Sequence, residues 1–375
     1  MNEKKANAIG DDVWPPLARC TPDLVGQLDA EQTLIDAFHS RRMAHAWMLC
    51  GPKGIGKATL AYRFARYVFS QETAGKGAGL LLDEMPVDVP SSLYIDPKSA
   101  VFQRVAAGGH GNLLSIERTL NDKDKLSSEI LVDTVREVGG FMSMSASEGG
   151  WRIVVIDSAD EMNRHAANAV LKVLEEPPDR ALLLLVTHNP GRLLPTIRSR
   201  CRKLNLRTLG TKDMSQLLNA FVPDLSDNDM LKLAELAEGS IGSAINLLEA
   251  GGIDLYRACL ALLSSLPQLN MADLHTFAAQ LSKVGAEEQF TTAMDLLRSI
   301  LARLLRYKTE GLMLNEEFVD EAAIFERICP AASLDRWLEI CEKVCNLLER
   351  SGAANLDRKQ VVLSVFIEID GAFSK

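Results

Sequence analysis

Residues 51–58, Gly-Pro-Lys-Gly-Ile-Gly-Lys-Ala, meet all but one requirement of a phosphate-binding loop, G-x-x-x-x-G-K-[ST]. In such a loop, glycines let the backbone curl around an anion, the lysine adds charge, and the final hydroxyl sits on Mg²⁺. Gly51, Gly56 and Lys57 are in place and Gly54 is a further candidate for nucleotide binding, whereas Ala58 stands where the hydroxyl belongs. Thr59 comes one residue late and is expected to point away from a metal.

Two further stretches carry chemistry. Residues 152–162, RIVVIDSADEM, read as an apolar strand ending in Asp157, the place for a carboxylate that holds Mg²⁺ through water. The next residue is often a Glu that orients the attacking water. Here it is Ser158, which cannot act as a carboxylate base. Asp160 and Glu161 fall in the following turn and are expected as solvated or helix-starting carboxylates. The third stretch is TIRSRC, 196–201, soon after an apolar run. Alone, such arginines are a solvated surface; at this location a guanidinium could be offered to a neighbour's phosphate.

The elements that must position these residues alternate through the first 205 or so positions, which reads as α/β with a parallel sheet. AHAWMLC (44–50) leads into the loop and TLAYRFARYVF (59–69) follows at helical spacing. This is the strand–loop–helix context that a phosphate loop needs. LLSIE (113–117) is a second candidate strand, and 128–146 reads as an amphipathic helix. WRIVVID (151–157) and ALLLLVTHN (181–189) are continuous apolar runs, as expected of strands buried on both faces. Between them, Ala167, Val170, Leu171 and Leu174 give a helix with one buried face, stopped by Pro177-Pro178. Residues 71–110, rich in Gly, Pro and Asp, read as a long insertion, ordered in part at best.

Beyond about residue 206 strand signals disappear. Residues 206–253 read as a small set of helices with Glu238-Gly239-Ser240-Ile241-Gly242 as a turn between two of them. From 254 on the chain is helical, with Leu297, Ile300, Leu301, Leu304 and Leu305 on one face. Three domains are therefore expected: 1–205, 206–253 and 254–375.

A net charge of −9 argues against a free-standing nucleic-acid binder, which usually carries a basic excess. The seven cysteines are scattered and never paired as C-x-x-C, which favours reduced thiols over a disulfide framework or a zinc knuckle. No apolar stretch opens the sequence and no run is long enough to span a membrane, so a cytoplasmic protein is expected.

In order and content, HAWMLCGPKGIGKATLA, ILVDTVREV, RIVVIDSADEMNRHAANAVLKVLEEPP, LLLLVTHNPGRLLPTIRSRC and EGSIGSA resemble the delta-prime subunits of the bacterial DNA polymerase III clamp loader, an AAA+-type family. The resemblance covers about residues 20–250; the C-terminal part matches only as a helical domain of suitable size.

What the resemblance implies is an AAA+-type P-loop α/β domain, a small helical lid and a C-terminal helical collar. The expected partners are the gamma/tau ATPase subunits and the delta subunit, with the sliding clamp and primed DNA reached through the complex. Lys57 matches the phosphate-loop lysine, Asp157 the metal-coordinating aspartate and Arg200 the arginine finger offered to the adjacent ATPase subunit. His188 falls near the polar sensor position. ATPase relatives carry G-S-x-R where this chain has Gly239-Ser240-Ile241-Gly242.

With the hydroxyl at 58, the carboxylate at 158 and the arginine at 242 all missing, a stator without its own turnover is expected. No cofactor is required on this reading, though loop amides and Lys57 can still hold phosphate, so ATP or ADP as a structural ligand stays open. Many relatives carry a four-cysteine zinc module after the phosphate-loop helix; residues 71–110 have no cysteine, so no zinc is expected. Two alternatives stay open: an active clamp-loader ATPase, and a nucleotide-gated scaffold outside replication.

Overall fold

The structure is a computed structural model that describes residues 16–40, 42–77, 92–118, 127, 129–143, 150–311, 319–354 and 356–373. It separates into two compact units, one of residues 1–213 with 240–242, the other of 214–239 with 243–375.

The first unit is built on five parallel strands: β1 (Ala46–Cys50), β2 (Leu113–Ile116), β3 (Arg152–Ile156), β4 (Ala181–Thr187) and β5 (Arg202–Asn205). They lie side by side in the order β2-β3-β4-β1-β5. β1 runs in register with β4 from Ala46 opposite Leu183 to Cys50 opposite Thr187, and β3 with β4 from Arg152 opposite Ala181. The strand before the loop is therefore central, with β4 separating it from the acidic end of β3.

Apolar side chains alternate between the two faces. Trp47, Leu49, Ile153, Val155, Leu182 and Leu184 pack with α1 (Leu28–His39) and α2 (Lys57–Gly77) in one core. Met48, Cys50, Val154, Ile156, Leu183 and Leu185 pack in the other core with α4 (Val132–Ser143) and α5 (Arg164–Glu175). Burial on both faces is why β1, β3 and β4 have no polar alternation. In α5, Ala167, Val170 and Leu174 are buried and Leu171 half-buried, as the spacing predicts.

Several elements depart from the sequence reading. α2 begins at Lys57 and continues to Gly77, and within the supposed insertion lies α3 (Ala100–Ala106). α3 is capped by Ser99, whose Oγ accepts the N–H of Phe102 at 3.2 Å, and Phe102, Val105 and Ala106 are buried. Of residues 71–110, expected as a long insertion ordered in part at best, the structure describes 71–77 and 92–110; residues 78–91 lie outside the described ones. Of the helix expected over 128–146, the structure forms Val132–Ser143, and residues 128 and 144–146 fall outside the described residues.

In the second unit the described residues form helices only: α7 (Thr211–Phe221) from its Met214 onward, α8 (Asp227–Leu236), α9 (Ile241–Glu249) from its Ser243 onward, α10 (Gly252–Ser264), α11 (Met271–Leu281), α12 (Glu287–Glu310), α13 (Val319–Ile328), α14 (Leu334–Ala354) and α15 (Arg358–Asp370). Leu297, Ile300, Leu301 and Leu304 of α12 meet Trp337 and Phe366 in one core. Inside it, Glu321 is fully buried and is gripped by Arg303 at 2.6 and 2.8 Å and by the Tyr256 hydroxyl at 2.7 Å.

Candidate functional site

The loop between β1 and α2 has the local shape that its glycines permit. Gly51, Gly54 and Gly56 all take positive φ (148°, 77° and 93°). Every carbonyl from Gly51 to Ile55 accepts a hydrogen bond. Lys57 Nζ donates to Gly51 O at 2.7 Å and also to Pro52 O. Ser240 Oγ donates to Lys53 O at 2.7 Å, and the Gly242 N–H to Gly54 O at 3.0 Å. The Gln27 amide donates to Ile55 O at 3.3 Å and to Arg207 O at 2.8 Å. The loop thus holds its curl through the protein's own donors.

Lys57 is 3% exposed. Burial pulls its ammonium down to about 8, and the carboxylates of Asp157 and Asp160 work in the opposite direction. A buried lysine with a lowered pKa in a glycine loop is a group that an anion would recharge. Ala58 follows it with no oxygen to offer, and Thr59 is half-buried in the first turn of α2.

Asp157 leaves the end of β3, where its N–H donates to Ile116 O at 2.9 Å. That bond puts Glu117, one residue past β2, beside it on the neighbouring strand. Glu117 Oε1 accepts the Tyr62 hydroxyl of α2 at 3.0 Å. Burial, then the Glu117 charge, pushes Asp157 up to about 6. Sequence reasoning missed Glu117, although LLSIE and RIVVID share one signal, an apolar run ended by a carboxylate.

Ser158 takes a left-handed backbone (φ 59°), and its Oγ lies 3.2 Å from His188 Nε2 at the end of β4. Burial, together with the Lys57 charge, lowers His188 to about 4, so the ring is neutral at physiological pH. Asp160 is half-buried, and its two oxygens accept the N–H groups of His188 and Asn189, each at 2.9 Å. Burial works against its charge, but these backbone donors outweigh it and hold the carboxyl below its usual range. Of the two expectations for Asp160, solvated or helix-starting, the second fits its place in the short 3₁₀ helix Ala159–Glu161, and the carboxylate also ties this turn to the end of β4. Glu161 pairs with Arg118 at 3.0 Å.

The loop, Asp157, Ser158 and His188 come together at the C-terminal ends of adjacent strands, where ligands bind in open parallel sheets. Arg200 does not join them. It follows α6 (Pro195–Arg198), its Nη2 bound to Glu175 Oε1 at 2.9 Å and its Nη1 donating to Thr196 O at 3.0 Å. Arg198 is exposed, and the Arg202 guanidinium lies 4.7 Å from the Trp47 ring centroid, within cation–π range.

For an anion the residues fit: loop, lysine and curl are present without a ligand. For a metal beside it the set is one oxygen short, at Ala58. Among the described residues, no group of three or more His, Cys, Asp or Glu is placed to hold a metal ion. No helix among them is long and apolar enough to cross a membrane.

The family described as "DNA polymerase III, delta subunit" matches residues 26–210, the span that holds the loop, the acidic turn and the arginine triplet. Among curated proteins, the chain is 35% identical to the DNA polymerase III subunit delta' of Pseudomonas aeruginosa over 52% of its own length and 53% of that protein's. It is 24% identical to the DNA polymerase III subunit tau of Bacillus subtilis over 74% of its length and 46% of that protein's. It therefore spans about half the length of these relatives. To the delta' subunit of Escherichia coli it is 25% identical over 90% of its length and 92% of that protein's. Through the segment that carries loop, acidic turn and triplet, the chain is similar to the DNA polymerase III delta-prime subunits.

Proposed function

We propose that this chain is a clamp-loader subunit of delta-prime type, with little or no ATP turnover of its own, that offers Arg200 to the ATP of a neighbouring subunit. The observation that carries the reading is the separation of parts: the arginine is fastened on its own side of the fold, by Glu175 and Thr196, with no bond to its own loop. The expected partners are gamma/tau-type ATPase subunits and a delta subunit, and the work is the loading of a sliding clamp onto primed DNA in the cytoplasm. Residues 1–205, 206–253 and 254–375 would serve as nucleotide-type domain, lid and collar.

An arginine suits the role in trans because its planar, permanently charged fork matches phosphoryl oxygens and stabilises charge that grows in the transition state. In the chain's own site, Gly51, Gly54, Gly56, Lys57 and the amides up to Thr59 would hold the phosphates of ATP or ADP. A bound nucleotide would supply only anionic phosphate there. Asp157 would face it with no hydroxyl at 58 and no carboxylate at 158 to complete a metal and water site. One observation favours a second reading, an active ATPase: Glu117 stands beside Asp157 and could replace the carboxylate missing at 158.

The deciding experiment is single-turnover ATP hydrolysis and clamp loading by assembled loaders carrying Arg200→Ala, with Arg198→Ala as control. Fingers of this kind are worth on the order of 10³-fold in rate. The site that receives Arg200 should slow by that order, with total turnover of the assembled loader falling less and loading falling more. Equal, small effects from both changes would mean that Arg200 is only surface charge.

A further inference from the structure

The two bonds that hold Arg200 suggest what sets the direction of its fork. Glu175 is the last residue of α5, and α5 is fixed at both levels that matter. Asn163 caps its N-terminus by accepting the Ala166 N–H at 2.9 Å, and its inner face buries Ala166, Val170 and Leu174 between α4 and the sheet. Pro177-Pro178 end it directly after Glu176, so the Glu175 carboxylate projects from a packed helix end rather than a free loop. Thr196 belongs to α6, which is pinned by fully buried Ile197 and also receives Ser199 Oγ at 3.1 Å. Glu175 Oε1 and Thr196 O therefore take one N–H from each terminal nitrogen of the guanidinium. Of five N–H groups, three remain for a phosphoryl group.

Two effects oppose each other. The carboxylate offsets part of the charge that a phosphate would feel. It also fixes a long side chain that would otherwise have to be ordered at the moment of reaction. The pair is partly exposed, with side-chain exposures of 36% and 52%, so water screens the charge effect strongly and the positional effect is the larger.

We infer that Glu175 is a positioning residue: it holds the Arg200 fork pointed outward, ready for the phosphate of an adjoining subunit. This rests on the finger reading above. Glutamine at 175 keeps an acceptor oxygen for Nη2, whereas alanine leaves the fork held only by Thr196 O.

The test uses the assembled loader with wild-type neighbours and four forms of this chain: wild type, Glu175→Ala, Glu175→Gln and Arg200→Ala. The readouts are single-turnover hydrolysis at the adjoining site, ATP affinity of that site, and the melting midpoint of each isolated chain. Glu175→Ala should slow hydrolysis about 3- to 10-fold with affinity changed less than about 2-fold. Glu175→Gln should stay within about 2-fold of wild type, and midpoints should be unchanged. A rate for Glu175→Ala that is unchanged or raised would overturn the inference, as would a Glu175→Gln rate as low as that of Glu175→Ala. If Arg200→Ala changed nothing, the finger reading itself would fall, and the inference with it.

Discussion

Gly54 and Gly242 lie backbone against backbone. A Cβ on Gly242 would come within 2.7 Å of Gly54 Cα, and one on Gly54 within 2.8 Å of Gly242 Cα and 2.5 Å of Ser240 Oγ. The bond from Gly242 N to Gly54 O, at 3.0 Å, needs this approach. The position where the resemblance leads one to look for an arginine is therefore taken up in holding the loop. Gly242→Ala must push the loop aside, a strain of roughly 1–3 kcal/mol, and should lower the melting midpoint. Ser240→Ala, which removes one hydrogen bond to Lys53 O, should cost about 1 kcal/mol. Gly242→Arg should not create hydrolysis, because its Cβ disturbs the loop before its guanidinium reaches anything. Scanning calorimetry and a turnover assay check all three; an unshifted midpoint for Gly242→Ala would sink the close-contact reading.

Asp157 makes stability depend on pH in an uncommon direction. Burial and the Glu117 charge raise its folded value to about 6, above the unfolded 3.8. A carboxyl raised in this way favours the protonated fold, so its contribution is present below about 3.8 and is lost as pH rises through about 6. Above that window the ionised side chain costs the fold roughly 1–3 kcal/mol. Asp157→Asn should therefore stabilise the protein at pH 7.5, with about half the gain left at pH 5. Urea denaturation at the two pH values measures it, and a gain that grew on acidification would contradict the assigned cause.

How much of this was legible in the sequence depends on how local the signal is. β1, β3 and β4 were readable because two-sided burial leaves unbroken apolar runs, and the loop because its motif is contiguous. β5 was not: it is an edge strand whose only buried residue is Leu204, flanked by Arg202, Lys203 and Asn205. Charged side chains there blunt the sheet edge and erase the strand pattern. α3 spans only seven residues, too short for periodicity to show. The backbone bonds of Asp160 are not legible in the sequence, because the N–H groups that fix it come from the end of another strand. Gly242 could be read as a missing arginine, but not as a contact with Gly54 far along the chain. The contact of Arg202 with Trp47 joins residues far apart in the chain and leaves no local signal.

The second unit offers a test independent of the loop. Glu321 is fully buried and bound by Arg303 and Tyr256. Removing one partner of a buried pair leaves the other charge uncompensated, at about 3–5 kcal/mol. Glu321→Ala should therefore destabilise this unit severely. The double change Arg303→Met with Glu321→Leu should recover most of the loss, because an apolar pair of similar volume needs no charge compensation. Thermal melting of both variants decides it; a double variant as unstable as the single one would show that the pair's geometry, not its charge, carries the packing.

Lys57 provides the last prediction, because its state decides whether the loop can hold an anion. Burial brings its ammonium down to about 8, so the charge is present at pH 7 and mostly gone by pH 9. A phosphate group arriving in the loop would stabilise the charged form and take up a proton as pH approaches that value. If the loop binds nucleotide, ADP should raise the melting midpoint clearly at pH 7 and much less at pH 9, and Lys57→Ala should abolish the shift. The same substitution tests the chemistry. With no hydroxyl at 58 and Ser158 in place of a carboxylate, hydrolysis in the assembled loader should be largely intact in Lys57→Ala. The two measurements separate binding from turnover. A shift at pH 7 with unaltered turnover assigns the loop to structure alone, whereas loss of loader ATPase in Lys57→Ala would show that this site hydrolyses ATP and that Glu117 has to be taken as its missing carboxylate.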